Sequence, residues 1–265
     1  NGGGNCVHWI SDIKLSPFDC DKALFNTGTG LFMITGLASG DVLVKPFCEG
    51  IEETVHLNVY TTPHGRNRII DIIGDLGGFA FEDYDSECEN SFANENGDRY
   101  ITCLNADLTL SDPEYIVATP RGNWTGKTKG GLILSKDCGS TWERLPMPRG
   151  LSEFIDQKLD NIEKPNVDSG WTAISADGKR IMWAVAGGRG FSNKAVCYTD
   201  DEGKTWQKSI FTDSNGNSAD EHNVKIFSDY YNSDLFFSIA ERENLGLYIS
   251  RDKGATFREV SIKAD

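Results

Sequence analysis

Ser135-Lys136-Asp137-Cys138-Gly139-Ser140-Thr141-Trp142 is an eight-residue stretch that returns twice more in this chain. The second copy is Thr199-Asp200-Asp201-Glu202-Gly203-Lys204-Thr205-Trp206 and the third is Ser250-Arg251-Asp252-Lys253-Gly254-Ala255-Thr256-Phe257. Their shared pattern is S/T-x-D-x-G-x-T-W/F. Each copy follows a strand-like run: Gly131-Leu132-Ile133-Leu134, Ala195-Val196-Cys197-Tyr198 and Gly246-Leu247-Tyr248-Ile249. An Asp and a Gly two apart between strands specify a tight hairpin turn. The carboxylate accepts bonds from nearby backbone N–H groups, and the glycine tolerates positive φ. The Thr and aromatic residue that follow suit a pleated, half-buried strand. Three copies of one hairpin mean a repeated sheet unit, and the repeat governs the fold.

Working outward, five related segments emerge. The first runs from Asp12 through Ala23-Leu24-Phe25-Asn26-Thr27-Gly28 to Gly30-Leu31-Phe32-Met33. The second starts near Leu57-Asn58-Val59-Tyr60 and runs through Ile69-Ile70-Asp71-Ile72-Ile73-Gly74-Asp75. The third holds Ala106-Asp107-Leu108-Thr109-Leu110, Tyr115-Ile116-Val117-Ala118 and the box at Asp137. The fourth holds Thr172-Ala173-Ile174, Ile181-Met182-Trp183-Ala184-Val185 and the box at Asp201. The fifth holds Val224-Lys225-Ile226-Phe227, Leu235-Phe236-Phe237-Ser238-Ile239 and the box at Asp252. Each unit of three or four short strands exposes an apolar face that it cannot cover alone, and stacking covers it. That is the logic of a β-propeller blade. The expected class is therefore all-β, a propeller with about five blades represented in residues 1–265. Long polar insertions at residues 82–99, 148–167 and 211–222 are expected to face a ligand or to lack order.

Bulk properties narrow the partners. The 265 residues carry 26 Lys+Arg against 40 Asp+Glu, a net charge of −14, and no basic patch is interleaved with aromatics. That argues against nucleic acid as a partner. No run of about 18 apolar residues exists to span a membrane. Helix content is expected to be low, with one short helix predicted over residues 151–159. The chain opens on Asn1, so a processed or trimmed product is expected. Seven cysteines show no C-x-x-C pair, and the four histidines lack metal-ligand spacing, so neither a metal nor another cofactor is implied. Cys6/Cys20 and Cys88/Cys103 are plausible local disulfides of a secreted protein; scattered buried thiols are the alternative. The sequon Asn123-Trp124-Thr125 is compatible with secretion.

The N-terminal stretch is the most specific. His8-Trp9-Ile10-Ser11-Asp12-Ile13-Lys14-Leu15-Ser16-Pro17-Phe18-Asp19, then Thr27-Gly28-Thr29-Gly30-Leu31-Phe32, resembles glycoside hydrolase family 74. So do Gly50-Ile51-Glu52-Glu53-Thr54-Val55 and Ile73-Gly74-Asp75-Leu76-Gly77-Gly78-Phe79. The family comprises endo-xyloglucanases and oligoxyloglucan-processing enzymes built from two seven-bladed propellers that clamp the polysaccharide. The resemblance implies a chain similar to the second propeller, lacking its final blades and normally partnered by a companion propeller. It implies inverting hydrolysis of a β-1,4-glucan backbone such as xyloglucan, with one Asp from each propeller. The family's Trp-x-x-Asp-Ile motif, which reads Trp9-Ile10-Ser11-Asp12-Ile13 here, implies Asp12 as the general acid. That job calls for a carboxyl whose pKa is raised by burial or a neighbouring carboxylate. The paired base would lie roughly 6.5–9.5 Å away, beyond this chain.

Other residues carry competing readings. Trp9, Trp124 and Trp171 are expected to contact substrate by stacking on sugar rings, against the alternative of blade packing. Asp137, Asp201 and Asp252 repeat from blade to blade and so serve the blade, because a catalytic group is needed once. Trp142, Trp206 and Phe257 belong to the core. Asp19 and Asp75 read as turn residues. Glu52 and Glu53 are strand neighbours facing opposite sides, so at most one lines a cleft. Two alternative functions remain open: a non-catalytic carbohydrate-binding propeller, and a protein-interaction propeller of the sortilin-like kind.

Overall fold

A computed structural model of the chain describes residues 9–51, 54–88, 90–151, 162, 168–185, 195–219, 222–241 and 245–261. These form strands and turns, with one helical position at Ile162. The helix predicted over 151–159 lies, beyond Leu151, outside the described residues, as do Cys6, His8, Glu52 and Glu53. The chain divides into two compact units, Asn1–Thr54 and Val55–Asp265.

Unit 1 holds one antiparallel sheet, β1 (Asp12–Leu15), β2 (Lys22–Thr27), β3 (Gly30–Thr35) and β4 (Leu43–Pro46), in chain order. In β2 the even positions face solvent while Ala23, Phe25 and Thr27 are buried, the period-2 alternation of a half-covered sheet. Phe25 stacks on Phe32 across the β2–β3 pair at 5.3 Å.

Unit 2 holds four sheets. The first is β5 (Val55–Thr61), β6 (Ile69–Gly74), β7 (Gly77–Phe81) and β8 (Asn90–Ser91). The second is β9 (Cys103–Leu108), β10 (Ile116–Pro120), β11 (Ile133–Ser135) and β12 (Glu143–Arg144). The third is β13 (Trp171–Ile174), β14 (Ile181–Val185), β15 (Ala195–Thr199) and β16 (Gln207–Lys208). The last is β18 (His222–Ser228), β19 (Phe236–Glu241), β20 (Leu245–Ser250) and β21 (Thr256–Glu259), to which β17 (Ile210–Thr212) adds a parallel edge strand. The five expected segments are thus five sheets, one in unit 1 and four in unit 2, and the architecture is that of propeller blades.

Two of the second strands, β10 and β14, are buried along their whole length because they feed two cores at once. On β10, Ile116 and Ala118 join the cluster shared with β6, while Val117 points into the next. On β14, Ile181, Trp183 and Val185 pack against the β10 sheet, while Met182 and Ala184 pack against β18 and β19. A strand sandwiched between two sheets reads as a continuous hydrophobic run, which is why Ile181-Met182-Trp183-Ala184-Val185 shows no alternation.

The three boxes share one geometry. The Ser135 hydroxyl donates to Asp137 Oδ1 at 2.8 Å and accepts the Gly139 N–H at 2.8 Å. The Asp137 carboxylate in turn accepts the Thr141 N–H at 2.8 Å and its hydroxyl at 2.6 Å. The same four bonds recur around Asp201 and Asp252. The position between Asp and Gly, written as free in the motif, is itself left-handed: Cys138, Glu202 and Lys253 have φ of 57°, 56° and 59°. The glycine that follows is left-handed too, as the tight turn requires.

Each box aromatic packs across onto the preceding sheet or the segment leaving it. Trp142 lies 4.3 Å from Phe92, just past β8. The Trp206 indole N–H donates to Pro146 O at 3.0 Å, just past β12. Phe257 stacks on Phe211 of β17 at 4.7 Å. Trp142 and Phe257 are core residues as expected, whereas Trp206 is half-buried.

Cysteine pairing requires a correction. The Cys88/Cys103 disulfide does not form: both thiols are free, as are Cys20, Cys48, Cys138 and Cys197. Cys88 precedes β8, the outer edge of one sheet, while Cys103 opens β9, the first strand of the next. Each thiol instead faces a backbone carbonyl, Asn90 O for Cys88 and Asn105 O for Cys103. Cys20, offered as the partner of Cys6, is exposed with a free thiol.

Candidate active site

Asp12 opens β1 in unit 1, and all four residues of that strand are exposed. Its backbone N–H donates to Asn26 Oδ1 at 3.1 Å, which sets the register with β2. The Lys14 ammonium lies 2.9 Å from Asp12 Oδ2, and the Ile13 N–H donates to Oδ1 at 2.8 Å. The hydrogen bond from Lys14, then that from Ile13, hold the carboxyl below its ordinary range. This is the reverse of the raised pKa that a proton donor needs. The physical reason is exposure plus a cation on the same strand face, two residues along.

Trp9 sits beside this carboxyl in sequence with φ of 60°, a conformation rare for a bulky residue. Its ring lies against Gly28 of the β2–β3 turn, where a Cβ would come within 2.5 Å of Cε3. The indole is otherwise 80% exposed, so an aromatic face is presented to solvent beside β1.

Trp124 is exposed on the β10–β11 connection. There the Asn123 amide nitrogen donates to Thr128 Oγ1 at 3.0 Å, closing the loop. Trp171 opens β13 and is half-buried, with Phe227 edge-on at 5.9 Å and the Lys225 ammonium 4.8 Å over its ring. Because the strands alternate in direction, each of these residues lies at the end of its own sheet opposite the turn joining the third and fourth strands, a turn that carries a box in the sheets of Trp124 and Trp171. The boxes, as expected, stay with the scaffold. Asp19 and Asp75 occupy turns, with Asp75 at φ 66°.

Asp107 is the residue that the sequence hid. It is buried on β9, where its Oδ2 accepts the Ile174 N–H at 2.9 Å and the Ser228 hydroxyl at 2.8 Å, while Oδ1 accepts the Leu108 N–H at 3.0 Å. Two residues earlier, Asn105 Oδ1 accepts the Thr172 N–H at 2.8 Å. The two side chains form rungs from β9 to β13 where no strand pairing exists. Burial pushes the Asp107 pKa up to about 6 against the pull of the Ile174 and Ser228 donors. The only signal in sequence was the polar alternation Asn105-x-Asp107 in an otherwise apolar strand. Among the described residues no group of His, Cys, Asp and Glu is arranged to hold a metal.

Sheet architecture and box turns define a β-propeller protein of the Asp-box kind. Comparison with known proteins finds similarity to xyloglucanases, among them solved enzymes of glycoside hydrolase family 74. A xyloglucanase of Paenibacillus sp. is 25% identical over 258 residues, covering 95% of this chain and 22% of its own length. An oligoxyloglucan-reducing end-specific xyloglucanase of Emericella nidulans is 25% identical over 271 residues, covering 96% of this chain and 30% of its own. The family 74 xyloglucanase structure from Xanthomonas campestris superposes with a TM-score of 0.60 at 22% identity, over 95% of this chain and 31% of that one. The family 74 enzyme from Niastella koreensis gives 0.61 at 20% identity, over 97% and 31%. No family model matches the chain. The chain spans about a quarter of the length of the curated relatives it matches.

Proposed function

We propose that this chain is a single propeller domain contributing half of the substrate cleft of a secreted glycoside hydrolase that cleaves xyloglucan with inversion. The observation that carries the reading is similarity over 95% of the chain to a protein named xyloglucanase. Asp12 is the general acid, protonating the departing glycosidic oxygen, and a carboxylate of a companion propeller activates water on the opposite sugar face. For that role the hold of Lys14 has to be relieved: substrate and the companion domain desolvate Asp12 and bring a second carboxylate near, both of which raise its pKa. Trp9, backed by Gly28, supplies a stacking platform beside the acid; Trp124 and Trp171 contribute further ring contacts. No cofactor takes part.

The test is an assay on xyloglucan with this chain fused to, or mixed with, the first propeller of a family 74 relative. Expected is turnover with inverted anomeric configuration, read by proton NMR, that falls at least 1,000-fold in Asp12→Ala. Turnover undiminished by Asp12→Ala removes the acid assignment. Tight xyloglucan binding without turnover in the complemented protein selects the non-catalytic reading.

A further inference from the structure

The end of β1 is anchored by one residue of β2. Asn26 accepts the Ser11 N–H on its main-chain oxygen at 3.3 Å and the Asp12 N–H on Oδ1 at 3.1 Å. In a regular strand successive N–H groups point to opposite sides, so only every second one can face a given neighbour. Two in a row turned toward Asn26 mark a departure from the pleat, of the kind that re-aims a side chain. The departure is local: at the other end of the pair the Ser16 N–H donates to Lys22 O at 2.9 Å and continues the ladder.

The re-aimed side chain is that of Asp12. Its carboxylate accepts the Ile13 N–H, which alternation turns away from β2, so it is drawn toward the open edge of the sheet. The same part of β2 seats the neighbouring indole. Two residues past Asn26, Gly28 receives the Trp9 ring. The flanking Thr27 and Thr29 hydroxyls bond each other at 2.8 Å, and the Thr29 N–H donates to Thr27 Oγ1 at 3.1 Å. Residues 26–29 thus hold the backbone of Asp12 and the plane of the indole in one frame. Asparagine suits its place, because its amide oxygen accepts without adding a charge beside Asp12.

We propose that Asn26 is the positioning residue of this site, fixing through the Ser11 and Asp12 N–H groups the backbone that aims the Asp12 carboxylate. This rests on the reading of Asp12 as the general acid and adds a residue on which that acid depends. Asn26 is itself exposed, so replacing it removes the anchor without opening a core.

The experiment has two arms. In the chain alone, amide hydrogen exchange is followed by NMR. Asn26→Ala should speed exchange at Asp12 by about tenfold or more, while Ser16 on the same strand pair keeps its rate. In the protein complemented with the first propeller of a family 74 relative, xyloglucan turnover is measured. There Asn26→Ala should lower kcat by about 10- to 100-fold and leave KM within about twofold, as misaiming of a reacting group does. Asn26→Asp keeps the acceptor oxygen and should restore both the protection of Asp12 and most of kcat. Lys14 is the charged neighbour of Asp12 on its own strand, and β2 offers the uncharged Asn26 opposite it. A second carboxylate at position 26 should therefore shift the alkaline limb of the pH–rate profile to higher pH, since the acid keeps its proton longer.

Thermal melting establishes that each variant is folded; if Asn26→Ala is not, Asn26→Ser takes its place. Unchanged exchange at Asp12 overturns the proposal. Equal acceleration at Ser16 does so too, because it would mark general loosening of the sheet. So does failure of Asn26→Asp to restore protection. Absence of turnover in the complemented wild type would sink the hydrolase reading, with the exchange arm still judging the anchor. Asp12-dependent turnover undiminished by Asn26→Ala would sink this proposal alone.

Discussion

Asp107 Oδ2 accepts the backbone N–H of Ile174 at 2.9 Å, so a side chain of β9 takes the place of the strand that β13 lacks on its inner edge. Such an edge carries unspent backbone donors. Asp107 and Asn105 answer two of them, at Ile174 and Thr172.

The pKa of Asp107, lifted to about 6, makes stability pH-dependent with a definite sign. A carboxyl whose folded pKa is raised stabilises fully below its unfolded value and loses that contribution as pH rises through the folded value. Between pH about 4 and 7, the wild type should lose up to about 3 kcal/mol relative to Asp107→Asn, which keeps an acceptor and cannot ionise. Urea denaturation of both proteins at several pH values checks this. A constant difference across that range would count against it.

The box carboxylates run the other way. Hydrogen bonds from the Thr141 hydroxyl and backbone and from Ser135 outweigh burial and hold Asp137 below its ordinary value. Its contribution is present above the unfolded pKa and is lost as pH falls through the lower folded one. Asp137→Ala should cost about 1–2 kcal/mol at neutral pH, a melting temperature lower by a few degrees. The deficit should shrink below pH about 4. Scanning calorimetry at pH 7 and pH 3 measures both.

At Asp12 the decisive neighbour is Lys14. Carbon NMR titration of the carboxyl should place its pKa below that of an ordinary aspartate, and Lys14→Ala should move it upward. An unchanged titration in the variant would mean that the ion pair is not formed in solution.

Thiol accessibility tests the revised cysteine assignment. Native protein should react at Cys20, while Cys103 and Cys197, whose thiols burial pushes up to about 12, should stay silent until the chain unfolds. Intact mass should show no cystine linking Cys88 to Cys103.

The scaffold was legible because its determinants are local. Asp137, Gly139 and Thr141 sit within one turn, and their bonds close over four residues. The two-core strands were legible as continuous apolar runs. By contrast, the parallel edge pairing of β17 with β21 was not, since it joins segments far apart along the chain. The left-handed residue between Asp and Gly carries different side chains in each copy, so composition gave no hint of it. At the candidate site, Trp9 and Asp12 stood out through a motif. Asp107 did not, because its importance comes from β13 and β18, which lie 67 and 121 residues away along the chain.

The wedging of each box aromatic onto the segment that leaves the sheet before it gives unit 2 a directional dependence. Trp142 leans on Phe92 and Phe257 on Phe211 of β17, so a sheet's outer strand is completed by the segment arriving from its predecessor. Energetics of this kind follow a nearest-neighbour chain. Damage at Phe92 should therefore loosen the sheet of Trp142 first, before the sheet of Phe257. Hydrogen exchange should report protection lost in sequence order along the blades, with melting spreading toward the C-terminus as a travelling front.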